Sequence, residues 1–436
     1  MIVLSNVKTL YDGKSSDEAS IHHGVDVYLG GDRIQDIRPH SFSGTGETQV
    51  RIDCSKYTVT PGLVDAHGHV TLLGLEDSDL ERASGQDVLL WVEKVLHATL
   101  VEGGVTTVRD VGGATHIVKR LIDDGSIIGP RLKIAICMLS TTGGHADFRG
   151  PDRCCGDLPK IWPPGPGRPS SLVDGPWEGR QRVRELAGCG ADLIKICTSP
   201  GVASPGDHLE NQDFSAEEVR AICLEADARG LPVAAHAHSR AGIEMAIENG
   251  VDDIQHASFL DAELAEKAAA RGCAVTPTSW VVNELPKSKG LSPFVMEKAR
   301  KVAEVHREAV QHAHAAGLPL LAGTDPVLPG MHGRNYMEMV ALTQDGLTPL
   351  QAWHAMTGLG AEKVDQTDTG VLEKGKRADM LICEGDVLDD PALLDLGALR
   401  EVLKDGVAYR GRLKGLPQRT YRDTTLELWP RPELNF

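Results

Sequence analysis

The sequence predicts an α/β fold: a (β/α)8 barrel joined to a small β domain built from both ends of the chain. Three observations carry this expectation. The middle of the chain repeats one unit, a helical pattern ended by Gly, then a short apolar run, then a polar residue. Eight such runs occupy about 300 residues, a spacing suited to parallel strands joined by helices. Both ends of the chain instead carry short strand-like runs separated by turn signals.

Taken in order, residues 1–60 read as strands Ile2–Lys8, Val25–Leu29, Arg33–Pro39 and Tyr57–Thr60. The repeating region opens with the runs Leu63–Val70, Val105–Val111, Leu132–Ser140 and Asp192–Thr198. Ser215-Ala216-Glu217-Glu218 is a capping box that opens a helix ended by Gly230, and Val233–His238 follows as a buried strand. A helix to Gly250 leads to Asp253–Ser258, another to Gly272 leads to Ala274–Ser279, and a longer one to Gly317 leads to Pro319–Asp325. Leu372–Glu373, Met380–Cys383, Val402–Lys404 and Val407–Tyr409 read as strands again, with Gly-Lys and Asp-Gly turns. The expected division is 1–60 with 366–415 as the small domain, 61–365 as the barrel, and 416–436 as a tail. The segment Arg149–Gly175, rich in Pro, Gly and Cys, is too long for a plain connection and follows a strand end, as lids do. A doubly wound open sheet competes with the barrel, but no GxGxxG follows any strand.

Composition narrows the function. The 436 residues are 41% apolar, enough for a substantial core, and contain no run of eighteen apolar residues. Met1–Leu10 lacks the pattern of a secretory signal. Nine cysteines follow no disulfide or metal-ligand spacing, and an odd number with the adjacent pair Cys154-Cys155 suits reduced thiols in a cytoplasm. The formal charge of −17 (45 basic against 62 acidic residues) argues against nucleic acid or an anionic membrane as a partner. A small-molecule substrate and other copies of the same chain are the expected partners.

His67 and His69 are the most informative residues. Positions i and i+2 of a strand share a face, roughly 6–7 Å apart, so the two imidazoles can grip one metal ion. A hydrogen-bonded surface pair is the competing reading. Lys195, His236, His256 and Asp325 each end or lie in a later apolar run, which turns the pair into a candidate constellation. Lys195, in an apolar strand, is a salt-bridged lysine at the barrel mouth or a low-pKa amine able to form a Schiff base. Asp325 alone reads equally as a helix N-cap.

The stretches PGLVDAHGH (Pro61–His69), GVTTVRD (Gly104–Asp110), TGGH (Thr142–His145), ADLIKI (Ala191–Ile196), AAHAH (Ala234–His238), IQHAS (Ile254–Ser258), GTD (Gly323–Asp325) and GVLEKGKRADM (Gly370–Met380) run in order along the chain. Together they resemble the amidohydrolase superfamily, in particular its imidazolonepropionase-like group with metal-dependent dipeptidases. The resemblance implies a distorted (β/α)8 barrel with a β-sandwich built from both termini. It implies two divalent ions, zinc first, with manganese, cobalt or iron also suited. It further implies His67, His69, His236, His256 and Asp325 as ligands and Lys195 as a carboxylated, bridging ligand. The activity implied is hydrolysis of a small-molecule C–N amide bond, in a dipeptide or N-acyl amino acid, by a metal-bridged hydroxide with Asp325 as proton shuttle. Cyclic amides, ureas and carbamates are the alternative substrates, and a Schiff-base lyase using Lys195 is the alternative of another class. His145 is expected to act on the substrate carbonyl or carboxylate, and His238, His332 and Asn335 to contact substrate.

Overall fold

The computed structural model describes residues 1–41, 50–72, 85–149, 161–203, 208–289, 291–411 and 413–419. The expected tail and the pair Cys154-Cys155 lie wholly or mostly outside these residues. The seven cysteines that are described are free thiols, six of them buried. Among the described residues no helix is long and apolar enough to cross a membrane.

The repeating region folds as parallel sheets alternating with helices. One sheet orders Leu63–Gly68, Val105–Asp110 and Arg131–Ile134; the other orders Ala274–Thr276, Asp253–His256, Val233–Ala237, Ile194–Cys197 and Met138–Leu139. Every pairing in both is parallel. Strands buried on both faces read as continuous apolar runs rather than alternating ones, which is why they were visible in the sequence. Backbone bonds link the two sheets at both edges: Asp192 donates to Ile134, while Val275 and Ala66 donate to the 319–322 segment. The capping box at Ser215 is present with both reciprocal bonds, and helices end on left-handed Gly250 and Gly272.

Two expected strands differ. The run Leu132–Ser140 is broken into Arg131–Ile134 and Met138–Leu139 around Ile136, whose φ of 70° interrupts the pleat. Pro319–Asp325 forms one bridge, Leu320 with Val275, and no regular strand. There Ala322 donates to Ala355, on a helix, so the ladder cannot continue. Leu372–Glu373 is likewise not a strand; Leu372 makes a single bond, to Asp12.

The two ends of the chain meet in one mixed sheet of eight strands, in the order Val407–Arg410, Leu399–Lys404, Met380–Glu384, Tyr57–Pro61, Ile2–Tyr11, Ile21–Gly30 and Arg33–Pro39, with Val50–Asp53 beside Ile2–Tyr11. The joining register runs antiparallel from Met380 opposite Pro61 to Glu384 opposite Tyr57. Leu4, Val27, Ile34, Val59, Met380 and Leu403 pack into this sheet's own apolar cluster. Arg131 fastens the parallel region to it: its guanidinium bonds both Asp379 and Asp405, and Arg131 and Asp379 are buried while Asp405 is partly exposed. Asp379→Ala leaves Arg131 with half of its counter-charge in a buried place. The free energy of unfolding should fall by about 3–5 kcal/mol, read from urea denaturation; a change under 1 kcal/mol would sink this account of the joint.

Candidate functional site

Because the strands are parallel, their C-terminal ends bring residues distant in sequence to one place. His67, His69, His236, His238 and His256 are all buried there, with Asp325 beside them. The Nε2 atoms of His67 and His69 each lie 3.5 Å from Asp325 Oδ1. The His256 ring is 5.0 Å from His67, 4.5 Å from His236 and 4.7 Å from His238, centroid to centroid. Two sets of donor atoms, His236/His238/His256 and His67/His256/Asp325, each gather within 4.8 Å, a spread that one metal ion can bridge.

Hydrogen bonds around the cluster decide which imidazole nitrogen carries the proton. His69 Nδ1 faces Gly112 O at 3.0 Å, and a carbonyl only accepts, so Nδ1 is protonated and Nε2 offers its lone pair towards Asp325. His256 Nδ1 is 2.8 Å from Thr278 Oγ1, whose own proton goes to Pro277 O at 2.6 Å. That hydroxyl therefore accepts from His256, and His256 Nε2 is also bare. His67 Nδ1 and His236 Nε2 are buried without a hydrogen-bond partner among the described residues. Burial is the main cause holding all these rings neutral: His69 is lowered to about 4, and His67, His236, His238 and His256 well below the usual histidine range. Neutral imidazoles with bare nitrogens and a carboxylate fit a divalent cation.

Lys195 is buried in its strand and donates to Gln255 Oε1. Burial lowers its pKa; burial raises that of Asp325, opposed by the Lys195 charge. Beneath them Arg109 bonds Asp253, and Asp253 holds the Gln255 amide at 3.2 Å.

Asp65, fully buried, ties the site's two edges together. It accepts from His67 N (3.0 Å), Thr324 N (3.0 Å), Thr324 Oγ1 (2.5 Å) and Asn335 Nδ2 (2.8 Å). The approach is close enough that a Cβ on Gly323 would lie 2.6 Å from His67 Cβ. His256, Ala257, Thr278 and Asp325 all take left-handed φ, from 43° to 66°, which costs each about 1–3 kcal/mol where the surroundings impose it.

The remaining candidates divide. His145 stacks on His236, 4.0 Å and 15° apart, and burial lowers its pKa to about 3. His332 directs Nε2 to Leu72 O at 2.7 Å. Asn335 is turned inward, both amide hydrogens going to Asp65 and Thr324, so its amide nitrogen does not face a substrate as expected. Asp65, Thr278, Ser258, His306 and Trp162 went unnoticed in the sequence. Trp162, from the Arg149–Gly175 segment, lies 5.4 Å from the His69 ring and makes a T-shaped contact with Phe148 at 5.8 Å. Asp65 had a usable signal, being an ionisable residue inside an apolar run two positions before His67; Ser258 and Trp162 lie in stretches singled out for other reasons, and Thr278 and His306 had no signal.

Residues 58–415 match the amidohydrolase family. Ochratoxinase of Aspergillus niger is 32% identical over 325 residues, 71% of this chain and 66% of that protein, so the match spans just under two thirds of that relative's length. Imidazolonepropionase of Deinococcus radiodurans is 27% identical over 390 residues, 86% of this chain and 88% of that protein. Among solved structures, a Xaa-Pro dipeptidase with methionine bound in its active site superposes with a TM-score of 0.83 at 29% identity, covering 94% of this chain and 100% of that one. The chain belongs to the amidohydrolase family.

Proposed function

We propose that this protein is a metal-dependent amidohydrolase that cleaves a C–N amide bond in a small molecule, a dipeptide or N-acyl amino acid. The scaffold in this reading is a distorted (β/α)8 barrel over 61–365 with a small domain from 1–60 and 366–415. The observation that carries the reading is the cluster of neutral imidazoles with bare nitrogens gathered around one carboxylate at the ends of parallel strands. Similarity to the structure of a Xaa-Pro dipeptidase supports the dipeptide part of the substrate class.

His67, His69, His236, His256 and Asp325, together with a carboxylated Lys195, would hold two divalent ions. Zinc suits this donor set best, and manganese, cobalt or iron are tolerated. Bound there, the ions would polarise the scissile carbonyl and lower the pKa of water towards neutrality. The chain's own residues do the rest. Asp325, whose burial favours proton uptake, takes the proton from the attacking water and returns it to the departing nitrogen. His145, neutral and stacked on His236, lies against the cluster where it can hydrogen-bond the substrate carbonyl or carboxylate. Asp65 and Asn335 hold Thr324, and through it Asp325, at the distance His67 requires.

Assay of the purified protein against dipeptides, N-acyl amino acids, lactams and ureas tests the substrate class; turnover of lactams or ureas alone would overturn it. Two substitutions test the roles. Asp325→Asn should keep much of the metal, measured by elemental analysis, and lose about 10²–10⁴-fold in kcat. Lys195→Ala should lose metal and activity together, with partial recovery of both in added short-chain carboxylate. An inactive Lys195→Ala with full metal content would point to Schiff-base chemistry instead. Asp65→Asn places an amide nitrogen where one carboxylate oxygen receives two of the four donors, and kcat/KM should drop about 10–100-fold with the circular dichroism spectrum intact.

A further inference from the structure

Three buried polar atoms without partners meet at one glycine beside the cluster. Thr71 Oγ1, Trp162 Nε1 and Arg168 Nε are each closed off from water and have no hydrogen-bond partner among the described residues. They converge on Gly113. A Cβ there would overlap Thr71 Oγ1 and lie 2.7 Å from Trp162 Nε1, and the Gly113 carbonyl accepts from the Arg168 guanidinium. The place adjoins the candidate metal site. Gly112 O, one residue earlier, accepts from His69 Nδ1 at 3.0 Å, and the Trp162 ring lies 5.4 Å from the His69 ring. Thr71 itself is two residues after His69.

Polar groups are costly to bury unpaired, and a guanidinium most of all. Among the described residues the bond to Gly113 O is the one hydrogen bond of Arg168, and no carboxylate forms an ion pair with it. Asp110 acts on Arg168 from beyond ion-pair distance, and its oxygens are committed to the amides of Val70, Gly112 and Ala114. The three orphaned atoms share one character: an indole N–H and a guanidinium only donate, and a hydroxyl can donate. What the set lacks is an acceptor with negative charge. Trp162 also has a φ of 51°, a left-handed value unusual for an aromatic residue, so the surrounding segment holds the indole where local preference would not.

We propose that Thr71, Trp162 and Arg168 form the subsite for the free carboxylate of the substrate, which makes the protein selective for amides whose departing amine is an amino acid. In such a substrate the carboxylate is one carbon from the scissile nitrogen, a reach that suits a subsite abutting His69. Arg168 supplies charge, and Trp162 and Thr71 supply neutral donors. His145 is then left to the scissile carbonyl. Trp162 and Arg168 share one segment, so a shift of that segment admits the carboxylate and its return closes the donors over it. The inference rests on the amide-hydrolase reading and narrows it.

The test measures steady-state kinetics of the zinc-loaded protein on dipeptides and N-acetyl amino acids, each paired with its C-terminal carboxamide. The wild type should favour the acids in kcat/KM by about 10–100-fold, the worth of a hydrogen-bonded charge. Arg168→Gln should raise KM for the acids by about the same factor with a much smaller change in kcat, so that the preference collapses. Arg168→Lys, which keeps the charge without the fork, should restore part of it. Trp162→Phe, which keeps a ring without the N–H, and Thr71→Val should each raise KM for the acids about 3–10-fold and affect the carboxamides less. Equal turnover of acids and carboxamides by the wild type overturns the proposal, since water alone would then satisfy the donors. So does an Arg168→Gln protein that loses both activities in equal measure, or melts lower with its preference intact, the mark of a clamp on Gly113 only. Turnover of none of these amides would instead remove the amide-hydrolase reading, and the inference with it.

Discussion

A single buried carboxylate sets the geometry on which this site depends. Asp65 would be expensive to bury ionised, and burial alone raises its pKa. Four donors offset that: two backbone amides, a hydroxyl and a side-chain amide. Two of them belong to Thr324, next to Asp325, and one is the amide of His67 itself. The same contact is closed from the other side by Asp325 N donating to His67 O at 2.8 Å. The first and last runs of the repeating region are thereby locked residue by residue, and the 3.5 Å separation of Asp325 from both His67 and His69 follows. The left-handed φ of Asp325 is tolerable for the same reason, since bonds on either side over-determine it.

Around that frame, protein acceptors recur at the remote nitrogens of the site histidines. A carbonyl at Gly112 and a hydroxyl already committed at Thr278 each leave one imidazole nitrogen protonated and the opposite one bare, at His69 and His256. Burial acts in the same sense, because it disfavours the imidazolium that would have no lone pair. The tautomers are therefore a property of the scaffold before any ligand arrives, which is what preorganisation requires of a binding site.

How much of this was legible follows from distance along the chain. His67, His69, Lys195, His236, His256 and Asp325 stood out because each ends or interrupts an apolar run, and parallel strands deliver such positions to one rim. The meeting of residues 57–61 with 380–384 was legible only as two unpaired sets of strands; the register needs the fold. His306 sits within a helical pattern, and Ser258 and Thr278 look like ordinary strand-end residues, so nothing local marks them. Asn335 reads as a substrate contact in the sequence because it lies in the loop after Asp325; its partner Asp65 is 270 positions earlier. The eighth run reads as a regular strand because its residues are apolar, whereas the bond from Ala322 to a helix carbonyl is a tertiary choice.

The floor beneath the cluster bears on the form Lys195 takes. Gln255 is oriented by Asp253, and Asp253 by Arg109 and Thr276, so Gln255 Oε1 rather than its amide nitrogen faces Lys195. Among the described residues it is the one hydrogen-bond partner of Lys195 Nζ. An ammonium carries three donors and a full charge, and here it would be buried with a single acceptor. A carbamate nitrogen carries one N–H, which matches that acceptor, and moves its charge outward onto oxygens that metal ions neutralise. Asp253 and Arg109 compensate one another, leaving the floor near neutral whichever form is present. The count of donors and acceptors under Lys195 therefore favours the carboxylated form proposed above over a free buried amine.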